Sequence, residues 1–94
     1  DRVFRFGGEE FVVLLRSTTL DNARRIIERF RTDVEAHQFP QVGRVTVSVG
    51  YAKSRKGMTA EQVVAQADQA MYAAKMSGKN KVVRYTAGIG SVAK

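Results

Sequence analysis

The chain has no cysteine, no tryptophan, one proline and one histidine among its 94 residues. Without cysteine there are no disulfides, zinc-thiolate centres or cysteine nucleophiles, and a reducing compartment is compatible with that count. The lone His37 lacks a second imidazole or thiolate at ligand spacing, so it reads as an exposed or capping residue rather than a metal ligand. No run approaches the roughly 18 apolar residues of a membrane span, and Asp1-Arg2-Val3-Phe4 has neither the charge order nor the length of a secretory signal. A soluble, cytoplasmic segment without membrane contact is expected. Acid is also scarce: nine Asp and Glu face sixteen Lys and Arg, a net charge of +7. That balance favours a polyanionic partner, nucleotide phosphates or nucleic acid, without choosing between them. What is present is globular: 44% hydrophobic and 27% charged residues fit one small domain with one core.

The opening predicts a hairpin. Val3-Phe4-Arg5-Phe6 and Phe11-Val12-Val13-Leu14-Leu15 are β-branched or aromatic runs flanking Gly7-Gly8-Glu9-Glu10. Both alternating sets of the second run are apolar, which predicts a strand covered on both faces inside a layered α/β domain. Ser17-Thr18-Thr19 supplies capping hydroxyls for a helix whose stripe is Ala23, Ile26, Ile27, Phe30 and Val34, running to about His37 before Pro40. Alternation at Val45, Val47 and Val49 predicts a third strand ending near Tyr51 or Ala52. Lys53 to Gly57 is a basic loop. Thr59-Ala60-Glu61-Gln62 is a capping box for a second helix with the stripe Val63, Val64, Ala67, Ala70, Met71 and Ala74, whose small side chains let it lie close to a sheet. Gly78 is the expected cap, Lys81 to Tyr85 a fourth strand, and residues 87–94 a frayed tail. The expected order is ββαβαβ.

Several residues offer chemistry, each beside a plainer reading. Glu9 and Glu10 at a tight turn are either two solvated glutamates or a carboxylate pair suited to Mg²⁺, with Gly7 and Gly8 leaving room for a ligand at the backbone. Lys75 and Lys79, four apart at the end of the second helix, either answer the helix dipole or clamp a triphosphate. Ser48 has no base near it in sequence and is a poor candidate nucleophile. Tyr51, Tyr72 and Tyr85 form no aromatic ladder with interleaved bases, which weakens single-strand nucleic-acid binding.

Taken together these residues resemble one family. Gly7-Gly8-Glu9-Glu10-Phe11 is the GGEEF form of the GGDEF signature, preceded by Arg5, which is typical there. Thr46-Val47-Ser48-Val49-Gly50 resembles the family's TVSIG strand, and Ala67-Asp68-Gln69-Ala70-Met71-Tyr72-Ala73-Ala74-Lys75 its ADxALYxAK helix. Lys79-Asn80 follows Gly78 where the family has Gly-Arg-Asn. The resemblance implies an α/β (α+β) fold: the C-terminal portion of a nucleotidyl-cyclase-like palm, residues 1–86, with a mixed or antiparallel sheet and helices on its faces.

It also implies a diguanylate cyclase, condensing two GTP into cyclic di-GMP across a homodimer of GGDEF domains, with no nucleic-acid partner. Glu9 would ligate Mg²⁺ (or Mn²⁺) and assist deprotonation of the attacking 3′-hydroxyl, and Glu10 would be a second acidic ligand. Gly7 and Gly8 would make room for the nucleotide, and Lys75 and Lys79 would bind its terminal phosphates. Asp1 and Arg29 match an inhibitory product site. The family's N-terminal motifs, which carry another metal-binding Asp and the guanine-reading residues, are absent from the sequence. The 94-residue chain by itself is therefore expected to be inactive. Lys79, where the family has Arg, keeps the charge and loses the bidentate fork. The alternatives are a non-catalytic cyclic di-GMP receptor, against which the intact glutamate pair argues, and a basic nucleic-acid-binding α/β module.

Overall fold

In a computed structural model, residues 2–5, 7–15 and 20–86 are described. The chain forms β1 (Arg2–Arg5), β2 (Glu10–Leu15), α1 (Leu20–Ala36), β3 (Ser48–Lys53), α2 (Ala60–Met76) and β4 (Val82–Arg84). This is the ββαβαβ order read from the sequence. The expected capping hydroxyls at 17–19 and the tail at 87–94 lie outside the described residues.

The sheet is mixed, in the order β1-β2-β3-β4. Strand β1 runs antiparallel to β2, with Val3 opposite Val13 and Arg5 opposite Phe11. Strands β2 and β3 are parallel, Glu10 facing Ser48 and Leu15 facing Lys53, and β4 extends β3 in parallel from Val49↔Val82.

Strand β2 is covered on both faces, as its two apolar sets require. Leu15, with Phe11 and Val13, joins Ala23 and Ile27 of α1 and Val49 and Tyr51 of β3. Val12, with Leu14, joins Ala52, Val63, Ala67 and Met71 on the α2 side. Successive residues of β3 divide the same way, because side chains alternate along a strand. The helices thus lie on opposite faces. Two parallel steps in one direction along the sheet, with helices on opposite faces, have opposite hands, so one crossover departs from the right-handed rule.

Helix α2 lies very close to β3. A Cβ built on Gly50 would stand 2.1 Å from the Met71 nitrogen and 2.3 Å from the Ala67 oxygen. Glycine in β3 and alanines at 67, 70 and 74, all fully buried, make that approach possible. The helix begins with the predicted capping box: the Gln62 backbone donates to the Thr59 hydroxyl and the Thr59 backbone to the Gln62 side chain. It ends at Ser77, with Gly78 at φ +122° and the Lys79 nitrogen donating to the Ala74 oxygen, a Schellman closure.

Three expectations need correction. Strand β3 begins at Ser48, so Val45 and Val47 lie before it; Val47 is nevertheless buried, and the alternation there reports burial rather than pairing. Ile26 and Phe30, expected in the core stripe of α1, are 67% and 45% exposed, lining an open apolar cleft between α1 and strands β1 and β2. Phe30 keeps an edge contact with Phe11, ring centroids 6.0 Å apart. Finally, α2 stops at Met76, so Lys79 lies beyond the helix and does not share a helical face with Lys75.

Candidate functional site

The Gly7-Gly8-Glu9-Glu10 turn joins β1 to β2 at the edge where β3 begins. Neither glycine has a positive φ, so the turn is not one of the left-handed glycine hairpins. What shapes it is Arg5, whose Nε donates to the Gly7 oxygen at 3.0 Å and Nη2 to the Gly8 oxygen at 2.9 Å. The guanidinium fork spans two successive carbonyls. The Ser48 nitrogen donates to the Glu9 oxygen at 2.8 Å, locking the turn to the start of β3.

Glu9 is exposed and Glu10 half-buried. Opposite them, the last turn of α2 brings Lys75 Nζ to 3.2 Å from Glu10 Oε2. The helix runs antiparallel to β3, so its C-terminal end returns to the edge carrying the turn. Turn and lysine, 65 residues apart in sequence, meet for that reason. Lys79 is exposed on left-handed backbone at φ +62°. A Cβ on Gly7 would come within 3.3 Å of the Glu10 carboxylate, whereas one on Gly8 would meet nothing within 4 Å.

The segment after α2 is held by a network that sequence reading missed. Asn80, at φ +51°, donates through its backbone to the Ser48 hydroxyl at 3.2 Å. Its side chain donates to Glu35 Oε2 at 2.7 Å and accepts from Arg31 Nη1 at 2.8 Å. Arg31 also pairs with Glu28 and with Glu35. Ser48 is therefore a buried structural hydroxyl. The available signal was Asn directly after Gly and Lys, since asparagine tolerates left-handed backbone. Arg5 had a signal too: a basic residue two positions before a glycine turn can reach back to its carbonyls.

Arg29 lies on the exposed side of α1, 3.9 Å from Asp33, with both side chains largely in water. It lines a shallow depression with Arg24 and Arg25. Asp1 lies outside the described residues. His37 is exposed, its ring against the edge of Phe39. Among the described residues no group of three or more His, Asp or Glu side chains gathers as a metal site. Glu9 and Glu10 are adjacent in the chain, and one or two carboxylates are what Mg²⁺ takes when substrate phosphates complete its shell.

Comparison with known families decides what kind of chain this is. A family model described as diguanylate cyclase, GGDEF domain, matches residues 1–81. The chain belongs to the GGDEF family. The two-helix, mixed-sheet architecture is consistent with a GGDEF palm. This GGDEF chain is 40% identical over 83 residues to diguanylate cyclase DgcM of Escherichia coli K12, covering 88% of the chain and 20% of that protein. It is 40% identical to diguanylate cyclase DgcP of Pseudomonas aeruginosa over 87% of the chain and 13% of the relative. With response regulator PleD of Caulobacter vibrioides the identity is 42%, over 84% of the chain and 19% of PleD. The chain thus spans a fifth or less of these relatives. No solved structure matches it. Among the described residues, no helix of this GGDEF chain is long and apolar enough to cross a membrane.

Proposed function

We propose that this chain supplies the carboxylate and lysine part of a diguanylate cyclase site, which condenses two GTP into cyclic di-GMP in the cytoplasm. The observation that carries the reading is the meeting of Glu10 and Lys75 at 3.2 Å beside the glycine turn. A carboxylate that would bind metal stands beside a cation that would bind phosphate, the combination transfer at a phosphorus centre requires. Gly8 adds support. A Cβ there would meet nothing of the chain within 4 Å, and its absence leaves the backbone of the turn open to the close approach of a nucleotide.

Glu9 and Glu10 would hold Mg²⁺ (or Mn²⁺), which when bound offsets phosphate charge and orients the triphosphate. The Glu9 carboxylate accepts the proton of a 3′-hydroxyl as its oxygen forms a bond to the α-phosphorus of the other GTP. The bond from that phosphorus to the bridging oxygen breaks, and pyrophosphate leaves with its electron pair. Lys75 is drawn from Glu10 to the terminal phosphates, an exchange that costs little because both side chains are partly in water. Lys79, on the exposed segment that follows, adds a second cation. Because each GTP is attacked by the other's hydroxyl, two GGDEF copies must face each other. Product inhibition is assigned to Arg29 with Asp1.

The test replaces the matched 83-residue segment of DgcM with this chain's sequence. The chimera is expected to make cyclic di-GMP from GTP, and Glu9→Gln in it to reduce turnover by about a hundredfold or more, since an amide neither takes the proton nor ligates well. A folded chimera whose Glu9→Gln form turns over normally would overturn the assignment.

A further inference from the structure

A wide cleft among the described residues lies away from the glycine turn. It opens on the α2 side of the sheet at the far end, where β3 and β4 finish, and has a volume of about 860 Å³. That lies within the roughly 300–1,000 Å³ of small-molecule sites. From Ser48, opposite Glu10, to Lys53 is five residues of strand, about 17 Å. From Lys75 back to Gln62 is thirteen residues of helix, about 20 Å. One nucleotide cannot occupy both places.

Its lining is lopsided in charge. Lys53 ends β3, Arg55 and Lys56 follow in the loop, and Arg84 ends β4, yet among the described residues no carboxylate lines the cleft. Four cations from three segments around one concavity repel each other unless an anion is admitted, and low-dielectric walls concentrate their field. A merely solvated basic face would mix signs or point its charges apart. The floor differs in kind: Gln62, Gln66 and Gln69, at i, i+4 and i+7 of α2, present a row of amides. Gln66 and Gln69 offer both donors and an acceptor, while the Gln62 side-chain oxygen already accepts from the Thr59 backbone in the capping box. Tyr85, partly buried against the α2-side core, forms a wall. The cleft also sits at the carboxyl ends of two parallel strands, the end of open α/β sheets that takes ligands.

We infer that this cleft is a second nucleotide site, distinct from the glycine turn, that takes a nucleoside di- or triphosphate: phosphates on Arg55, Lys56, Lys53 and Arg84, and the base between the glutamine row and Tyr85. The arginines suit phosphate oxygens through their bidentate fork. The site stands independently of the cyclase reading, because none of its residues belongs to that machinery.

The experiment titrates the 94-residue chain with ATP in EDTA and near-physiological salt, so that metal-dependent binding at Glu9 and Glu10 is silent and weak surface attraction is screened. Backbone amide resonances of Gln66, Gln69 and Tyr85 are expected to shift, with those of Gly7 to Glu10 unmoved. Arg55→Gln combined with Arg84→Gln is expected to weaken binding about tenfold or more. Arg44→Gln, which removes charge outside the cleft, leaves it within twofold. If the paired variant binds like Arg44→Gln, or the shifts fall on the glycine turn, the second site is refuted. Inorganic tripolyphosphate binding as tightly as ATP refutes the base subsite, and an acidic peptide binding more tightly than ATP refutes the nucleotide assignment. Gln66→Glu provides a check that leaves every cation in place, and is expected to weaken ATP by charge repulsion alone.

Discussion

Two glycines separate packing from ligand binding. At Gly50 the atoms that a methyl group would strike are backbone atoms of α2, which no rotamer change can move aside. Gly50→Ala must lift the helix from β3, and a loss of about 3 kcal/mol in urea unfolding is expected. At Gly8 a methyl group meets open space. Gly8→Ala is therefore expected to change stability by less than about 0.5 kcal/mol while weakening GTP binding in the chimera. Equal stability losses in the two variants would remove the distinction. Glycine inside a strand already signals close approach, so Gly50 was legible in the sequence. The long reach from Glu10 to Lys75 was not, because no spacing rule links a turn to a helix end 65 residues later. For Lys75→Met the expected stability cost is below about 1 kcal/mol, as for other half-exposed pairs. A larger cost would mark the lysine as structural rather than as a phosphate ligand.

At the scale of elements, the end signals of α2 were read more truly than the start of β3. Thr59 and Gln62 make both hydrogen bonds of the capping box, and Gly78 occupies the left-handed position after the cap. Thr59→Ala is expected to cost about 1 kcal/mol, measured by thermal or urea unfolding. The start of β3 was misplaced because Val45 and Val47 alternate without pairing: hydrophobic period reports which side chains are buried, not which backbone finds a partner. The two apolar sets of β2 called for cover on both faces, but amphipathic pattern does not say which helix covers which face, so the assignment of α1 and α2 was not legible. The join between elements was hidden as well. Asn80 ties the exit from α2 to α1 through Glu35 and Arg31 and to β3 through Ser48. Asn80→Ala is expected to lose about 2 kcal/mol from charged hydrogen bonds and left-handed strain, while Asn80→Gly, free of that strain, recovers about half. If both variants lose the same amount, the backbone conformation contributes nothing.

The molecule as a whole carries two kinds of open surface, and they lead to different behaviour. A net charge of +7 favours separation of copies in water. Against it stands an apolar cleft of about 320 Å³ over β1, β2 and α1, lined by Val3, Phe11, Ile26 and Phe30, with Val3 and Ile26 each about two-thirds exposed. Contiguous apolar surface on a domain this small, where one core already covers little of the chain, is driven to find cover. A second copy offers that cover in any solution of the pure chain, its apolar edge meeting the same edge about a two-fold axis. Burial at about 25 cal/mol per Å² is short-ranged and insensitive to salt, while the opposing charge is screened within about 8 Å at physiological ionic strength. Association is therefore expected to strengthen as salt is added, the reverse of what binding through the basic cleft would show. Sedimentation velocity should find the mass of the 94-residue chain rising with concentration and with salt, and Phe30→Glu should return it to monomer. Such a dimer would join the apolar edges and leave the glycine turns where they are, so no cyclic di-GMP is expected from it. A monomer at every concentration, or a dimer that synthesises cyclic di-GMP from GTP, would overturn this account.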